Sequence, residues 1–279
     1  MKAIATPSKT KEILEKFGLK AKKGYGQNFL VDPIIVERCA KESHGENAVI
    51  EIGAGIGGLT EQLAKCAKKV VAFEIDDVLI PVLKENLKEY ENVEIIHQDF
   101  LESDIEKIVK DLYEEYGKVS VCANLPYYIT SPILFKLFAR KEIEYITVMV
   151  QKEVGDRFVA PVGDSEYSAL SVEAQYLFES KKLFVVPARS FNPSPRVDSI
   201  IVQFKRKDNV EIENIDQFFE LVRACFKQRR KTVYNNLREY DDTLDVEKVL
   251  NVCDIDKKKR AQELSVQELE NLYKVIYEG

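Results

Sequence analysis

The chain has 279 residues, 45% of them hydrophobic and 32% charged, and a formal net charge of −6. That is enough apolar material for one sizeable core and a second, smaller one, and it excludes a disordered or low-complexity chain. The acidic balance argues mildly against a nonspecific nucleic-acid binder, and five scattered cysteines with only two, distant histidines (His44, His97) point to reduced thiols in a cytoplasmic protein without a metal site.

In chain order, MKAIATPSKTKEILEKFG is lysine-rich but has no long apolar run behind it, so it is not read as a secretory signal. Lys9, Lys11, Lys16, Lys20, Lys22 and Lys23 crowd this end. AVIEIG (48–53) reads as a buried strand and 59–66 as a helix. KVVAFEI is a second strand, with Asp76 or Asp77 placed to cap the helix through Leu83 and Leu87. NVEIIHQ is a third strand, followed by a helix near 105–113, and KVSVCAN is a fourth. Ser131 is placed as the cap of a helix carrying Leu134, Leu137 and Phe138, with Pro132 at its first position. EYITVMV is a fifth strand. KLFVVP and VDSIIVQF add two more, the latter alternating enough to suggest an antiparallel hairpin at a sheet edge. The uncharged run 119–135 is broken by Asn124, Pro126, Thr130, Ser131 and Pro132, which argues against a membrane span.

Strands spaced by helices predict an α/β fold with a parallel, doubly wound sheet, whose ligand site lies at the carboxyl ends of the strands. Past Lys207 the strand patterns stop and Phe218, Phe219, Val222 and Phe226 follow helical spacing. The expected domains are therefore 1–207 and an all-helical 208–279. A basic run around Arg229, Arg230 and Lys231 has no acid between Leu221 and Arg238. Taken singly such a run reads as a solvated helix face, but with the N-terminal lysines and Lys257, Lys258, Lys259 and Arg260 it makes three basic clusters, which favour a polyanionic partner.

Glu51-Ile52-Gly53-Ala54-Gly55-Ile56-Gly57-Gly58 joins the first strand to its helix. The glycines permit a tight turn and close backbone approach to a ligand. Gly53, Gly55 and Gly58 satisfy GxGxxG, which fits a dinucleotide or S-adenosylmethionine equally, and also a plain glycine turn. Glu74 ends the second strand, where a carboxylate can accept from both ribose hydroxyls. Asp99 ends the third, where one can accept from an adenine amino group.

Asn124-Leu125-Pro126-Tyr127 ends the fourth strand on the same rim. An adenine amino nitrogen is a poor nucleophile because its lone pair is delocalised into the ring. Two acceptors that hold its hydrogens favour the pyramidal, reactive geometry, and the Asn124 side-chain oxygen and the Pro126 carbonyl are candidates for them. Pro126 stiffens the turn, and Tyr127 can stack on the base. With a sulfonium leaving group, positioning supplies much of the remaining barrier reduction and no strong general base is required.

The chain resembles the KsgA-type family of small-subunit (16S) rRNA adenine-N6,N6-dimethyltransferases. The likeness runs in family order through Gly26-Gln27-Asn28-Phe29-Leu30, 51–60, Phe73-Glu74-Ile75-Asp76, Gln98-Asp99, 124–127 and Gln151-Lys152-Glu153-Val154. It continues through Phe191-Asn192-Pro193-Ser194-Pro195-Arg196-Val197-Asp198-Ser199 and Phe226-Lys227-Gln228-Arg229-Arg230-Lys231-Thr232. The resemblance implies a Rossmann-like, seven-stranded class I methyltransferase sheet with S-adenosylmethionine as methyl donor, held by Asn28, Leu30, Gly53, Gly55, Glu74, Asp99 and Asn124. It implies two neighbouring adenosines near the 3′ end of 16S rRNA as targets, on an assembling small subunit, and Phe191 as a second wall of the base pocket facing Tyr127. Arg229, Arg230 and Lys231 are the expected phosphate contacts, with Lys22 and Lys23 next, on a monomer. The Erm-type large-subunit methyltransferases share the glycine loop and a similar acceptor motif, and a mainly RNA-binding assembly factor is the alternative from another class.

Overall fold

The protein, represented by a computed structural model, is described over residues 2–19 and 27–279. Two compact units emerge from the contacts, one of Met1–Gly155 with Lys181–Arg206, the other of Asp156–Ser180 with Lys207–Gly279.

In the first unit, α1 (Pro7–Lys16) is capped by Thr6, and β1 (Phe29–Leu30) is followed by α2 (Pro33–Glu42), capped by the Asp32 carboxylate. The alternation then runs β2 (Ala48–Ile52), α3 (Gly58–Ala64), β3 (Lys69–Glu74), α4 (Ile80–Leu87), β4 (Val93–His97), α5 (Ile105–Tyr116), β5 (Val119–Asn124), α6 (Thr130–Phe138) and β6 (Ile143–Gln151). After α7 (Lys152–Phe158) and α8 (Ala169–Leu177) come β7 (Phe178–Val186), the short β8 (Phe191–Asn192) and β9 (Ser199–Arg206). Seven of these strands form one sheet in the order β4-β3-β2-β5-β6-β9-β7. The first five are parallel, and β9 runs antiparallel to β6, with Gln151 opposite Ser199 and Tyr145 opposite Lys205.

The sequence dictates this arrangement directly. Every residue of β2 is buried, as expected of a central strand covered on both faces. The strand order reverses beside β2, because β3 and β5 flank it on opposite sides. In a doubly wound sheet a crevice opens at that place, beyond the carboxyl ends of the strands. The alternating pattern of VDSIIVQF does not mark an exposed face, since Ser199 through Phe204 are all buried. The edge strand beside β9 is β7, and its solvent-facing positions carry Glu179, Lys181 and Lys182.

Two helix starts differ from expectation. α4 has no side-chain cap. Asp76 instead closes the preceding turn by accepting from the Val78 amide at 3.1 Å. α6 begins at Thr130, one residue before the expected cap Ser131. The Thr130 hydroxyl donates back to the Pro126 carbonyl at 3.2 Å, so the turn and the helix start are one hydrogen-bonded feature.

The second unit is helical, with α8, α9 (Ile215–Phe226), α10 (Val233–Tyr240), α11 (Val246–Val252) and α12 (Val266–Tyr277). Its core is aromatic: Phe218 packs on Tyr176 at 4.7 Å and on Tyr273 at 5.6 Å between ring centroids. The sequence placed this unit in 208–279, yet residues 156–180 also belong to it. The reason is the inward face of α8. Tyr176 contributes a ring to that core and accepts from the Ile212 amide at 3.0 Å, and the nearly buried Glu173 receives Arg223 at 2.8 Å.

Candidate active site

The carboxyl ends of β2 to β5 enclose a cavity of about 210 Å³. Asn28, Leu30, Gly53, Glu74, Asp99, Asn124, Pro126 and Tyr127 all line it, so the sequence-predicted cofactor and acceptor residues converge on one place. Gly55 contributes its amide, which donates to Glu74 Oε2 at 2.7 Å. Lys22 and Lys23 lie outside the described residues.

The glycine turn adopts backbone angles that side chains resist: φ is 78° at Gly53, 61° at Gly55 and 91° at Gly57. A Cβ at Gly57 would meet Leu83 Cδ1 at 3.0 Å, so this glycine lets the turn pack on α4. A Cβ at Gly53 would meet only the Asn124 carbonyl oxygen, at 3.8 Å, and would project into space a ligand can use. Phe29 covers the turn from the other side, 3.6 Å from the position a Gly55 Cβ would take.

Glu74 is 6% exposed, and burial raises its carboxyl above the ordinary range against the pull of the Asp76, Gly55 and Ile75 amides. Oε1 accepts from the Asp76 amide at 2.8 Å and Oε2 from Gly55. Each oxygen retains a lone pair for a ribose hydroxyl. Asp99 caps the short 3₁₀ turn Phe100–Glu102, accepting from the Leu101 amide through Oδ1 at 2.8 Å. The ε-ammonium of Lys136 on α6 holds that turn, donating to the Phe100, Leu101 and Ser103 carbonyls.

The acceptor turn is organised differently from its reading in the sequence. Asn124 Nδ2 lies 3.5 Å from the Asn28 carbonyl, which fixes the amide and leaves its oxygen as the free acceptor. The Pro126 carbonyl, expected as the second acceptor, is already occupied. It takes the Ile129 amide and the Thr130 hydroxyl, both at 3.2 Å. The Leu125 amide donates to the Met149 carbonyl at 3.1 Å, but among the described residues no donor reaches the Leu125 carbonyl. The proline turn thus consumes the Pro126 carbonyl in closing itself and leaves the Leu125 carbonyl unengaged among the described residues. Tyr127 is half-buried, with its hydroxyl 2.7 Å from that of Ser199. Burial pushes the Tyr127 hydroxyl up, and the Ser199 bond opposes this.

Phe191 is not a wall of the cavity. It is 4% exposed and packs in a core cluster with Cys39, Ala40, Val186 and Ile201. In the β1–β8 pair Phe191 stands opposite Leu30, which also packs against that cluster.

Two residues escaped the reading of single functions from the sequence. Glu51 lines the cavity at 2% exposure, and among the described residues no hydrogen-bond partner reaches its Oε2. Burial pushes its carboxyl up to about 8, against the effect of Thr60. An acid inside the otherwise apolar run AVIEIG was the available signal. Gln27, another lining residue, donates to Asp76 Oδ2 at 2.7 Å and so ties the segment before β1 to the turn after β3.

In the expected basic run, Arg229 donates to the Ser165 carbonyl at 2.5 Å and to the Tyr167 carbonyl at 3.4 Å. Lys231 and Lys227 share Glu239, at 3.0 and 3.3 Å, and hold its carboxyl below the usual range. Arg230 is exposed, and among the described residues nothing pairs with it. No helix of the described residues is long and apolar enough to cross a membrane.

Five parallel strands with an antiparallel β9 beside them, a left-handed glycine turn and acids at two successive strand ends together define a class I methyltransferase. The ribosomal RNA adenine dimethylase family matches residues 18–278. Proteins named ribosomal RNA small subunit methyltransferase A from Bacillus pumilus (strain SAFR-032) and Bacillus mycoides (strain KBAB4) are each 46% identical to the chain. The first alignment covers 99% of this chain and 98% of the relative, the second 98% and 97%. A dimethyladenosine transferase from Plasmodium falciparum superposes with a TM-score of 0.74 at 30% identity, over 86% of this chain and 94% of that one. The 23S rRNA methyltransferase ErmE gives 0.69 at 27%, over 89% and 99%. The chain belongs to the ribosomal RNA adenine dimethylase family. It is an S-adenosylmethionine-dependent rRNA adenine dimethyltransferase.

Proposed function

We propose that the chain dimethylates N6 of two adjacent adenosines near the 3′ end of 16S rRNA, on an assembling small subunit in the cytoplasm, and that it acts as a monomer. The observation that carries this reading is the pair of free acceptors, Asn124 Oδ1 and the Leu125 carbonyl, at the rim of a cavity floored by Glu74 and Asp99. S-adenosylmethionine supplies an electrophilic methyl on a sulfonium.

The residues fit that donor. Glu74 would hold the ribose hydroxyls through its two oxygens, and Asp99 would accept from the adenine amino group through Oδ2, its Oδ1 being taken by the Leu101 amide. The open surface at Gly53 admits the chain of the molecule, and the unpartnered Glu51 oxygen can receive its ammonium. On the acceptor side, Asn124 and Leu125 hold the two amino hydrogens of the target base. Tyr127 stacks on its ring, a contact of roughly 1–3 kcal/mol. With the donor bound, these two acceptors would stabilise the positive charge that grows on the target nitrogen during methyl transfer, and its proton would leave to solvent. After the first transfer one hydrogen remains for a second round.

Among Arg229, Arg230 and Lys231, Arg230 has no partner among the described residues, whereas Arg229 donates to the Ser165 and Tyr167 carbonyls and Lys231 pairs with Glu239. The test is transfer of labelled methyl groups to undermethylated small and large subunits side by side. Label in adjacent N6,N6-dimethyladenosines of 16S rRNA supports the reading. Label confined to large-subunit rRNA would place the chain with enzymes of the ErmE kind.

A further inference from the structure

The loop between β7 and β9, residues 187–198, carries two cations that the site described above does not use. Arg189 and Arg196 are exposed, and among the described residues neither makes a hydrogen bond or an ion pair. What gives them meaning is how the loop is anchored. Near one end, β8 pairs with β1, and the Val31 amide donates to the Ser190 carbonyl at 2.8 Å. Leu30 of β1 lines the cavity. At the other end, Ser199 holds the hydroxyl of Tyr127, another residue lining the cavity. Between these anchors the loop closes on itself: the Ala188 amide donates to Asp198 Oδ1 at 2.9 Å, and Ser194 Oγ donates to the Ala188 carbonyl at 2.7 Å. Asp198 is the only acid in the loop, and it is engaged in that closure.

We propose that Arg189 and Arg196 bind the phosphates of the single-stranded RNA that flanks the target adenosine. The inference rests on the function proposed above. A base held at Asn124, Leu125 and Tyr127 leads its own backbone out beside the loop whose end is fastened to Tyr127 through Ser199. Guanidinium groups suit that task because they match phosphate oxygens with paired donors. A loop already braced by its own hydrogen bonds loses little conformational freedom on binding. This contact positions the strand and reads no sequence.

The experiment compares the parent protein with an Arg189→Ala/Arg196→Ala double variant and a Lys110→Ala control, Lys110 being an exposed lysine on α5. Each is assayed on undermethylated small subunits across a salt series, with calorimetric titration of S-adenosylmethionine alongside. The double variant is expected to keep kcat and cofactor affinity, to raise KM for the particle about tenfold, and to flatten the slope of log(kcat/KM) against log[salt] by roughly 1.4, at about 0.7 per single-strand phosphate contact. The control is expected to match the parent. A double variant with the parent's KM and salt slope would overturn the assignment. So would weaker cofactor binding with an unchanged slope, which would make the arginines supports of the fold. A parent protein that binds the donor yet methylates no small subunit overturns the functional reading and the substrate named here with it. A methylating parent with indifferent variants overturns the arginine assignment alone.

Discussion

The hydroxyls of Tyr127 and Ser199 lie 2.7 Å apart and join the acceptor turn to the first residue of β9. Ser199 is fully buried, so it is a fixed point against which the half-buried Tyr127 ring is held. A net hydrogen bond of this kind contributes about 0.5–1.5 kcal/mol. Ser199→Ala and Tyr127→Phe are therefore each expected to slow single-turnover methyl transfer by roughly 2- to 10-fold, with cofactor affinity unchanged. Because both remove the same bond, the double variant is expected to be no slower than the worse single one. Additive losses would show that the two hydroxyls act separately.

In the proposed function, Asn124 supplies an acceptor that matters chiefly when the amino group is being alkylated. Asn124→Ala is expected to lower kcat by about 10²–10³, the scale of losing one preorganised electrostatic partner, with cofactor binding largely retained. Calorimetry and turnover on the same preparation separate the two effects. Turnover near the parent rate would remove Asn124 from the chemistry.

Glu51 makes the ligand-free protein sensitive to pH. Its carboxyl titrates near 8 in the fold against an ordinary value of 4.5. Folded protein therefore holds the proton more tightly than unfolded chain between those values. The corresponding stability is fully present below 4.5 and is lost as pH rises towards 8, by up to about 1.4 kcal/mol per pH unit. Between pH 5 and pH 8 the melting temperature of the parent is expected to fall relative to Glu51→Gln. Parallel profiles would contradict the assignment.

Neighbouring arginines in the second unit are expected to behave in opposite ways. Arg229→Ala removes donors to the Ser165 and Tyr167 carbonyls and is expected to lower stability by about 1–2 kcal/mol. Arg230→Ala is expected to leave the melting temperature within a degree or so of the parent and to weaken particle binding. Thermal melts and particle-binding isotherms on both variants check this. A swap of the two phenotypes would return the phosphate contact to Arg229.

Much of this architecture is legible in the sequence because it depends on local pattern. Apolar runs such as AVIEIG and KVVAFEI, spaced by helices, specify strands buried on both faces, and polar residues at their carboxyl ends mark the rim. What escaped depends on hydrogen bonds between segments. The helix start at Thr130 and the occupation of the Pro126 carbonyl are one feature, invisible until the turn is built. Phe191 reads as an aromatic beside a proline turn, and only its packing with Cys39, Ala40, Val186 and Ile201, all distant in sequence or on other strands, shows it as core. Residues 156–180 follow a strand and precede one, so nothing local assigns them to the helical unit. Their membership depends on Tyr176 and Glu173 finding partners more than 35 residues away.

The central claim is that the target amino group is held by the Asn124 side-chain oxygen and the Leu125 carbonyl. A structure of the chain with S-adenosylhomocysteine and an adenosine-containing RNA tests it most directly. The account predicts N6 at roughly 3 Å from both oxygens, with the sulfur behind it on the side of Gly53 and Glu74. A base whose amino group lies away from Leu125, or a rim closed by side chains with no purine between Asn124 and Tyr127, would contradict it.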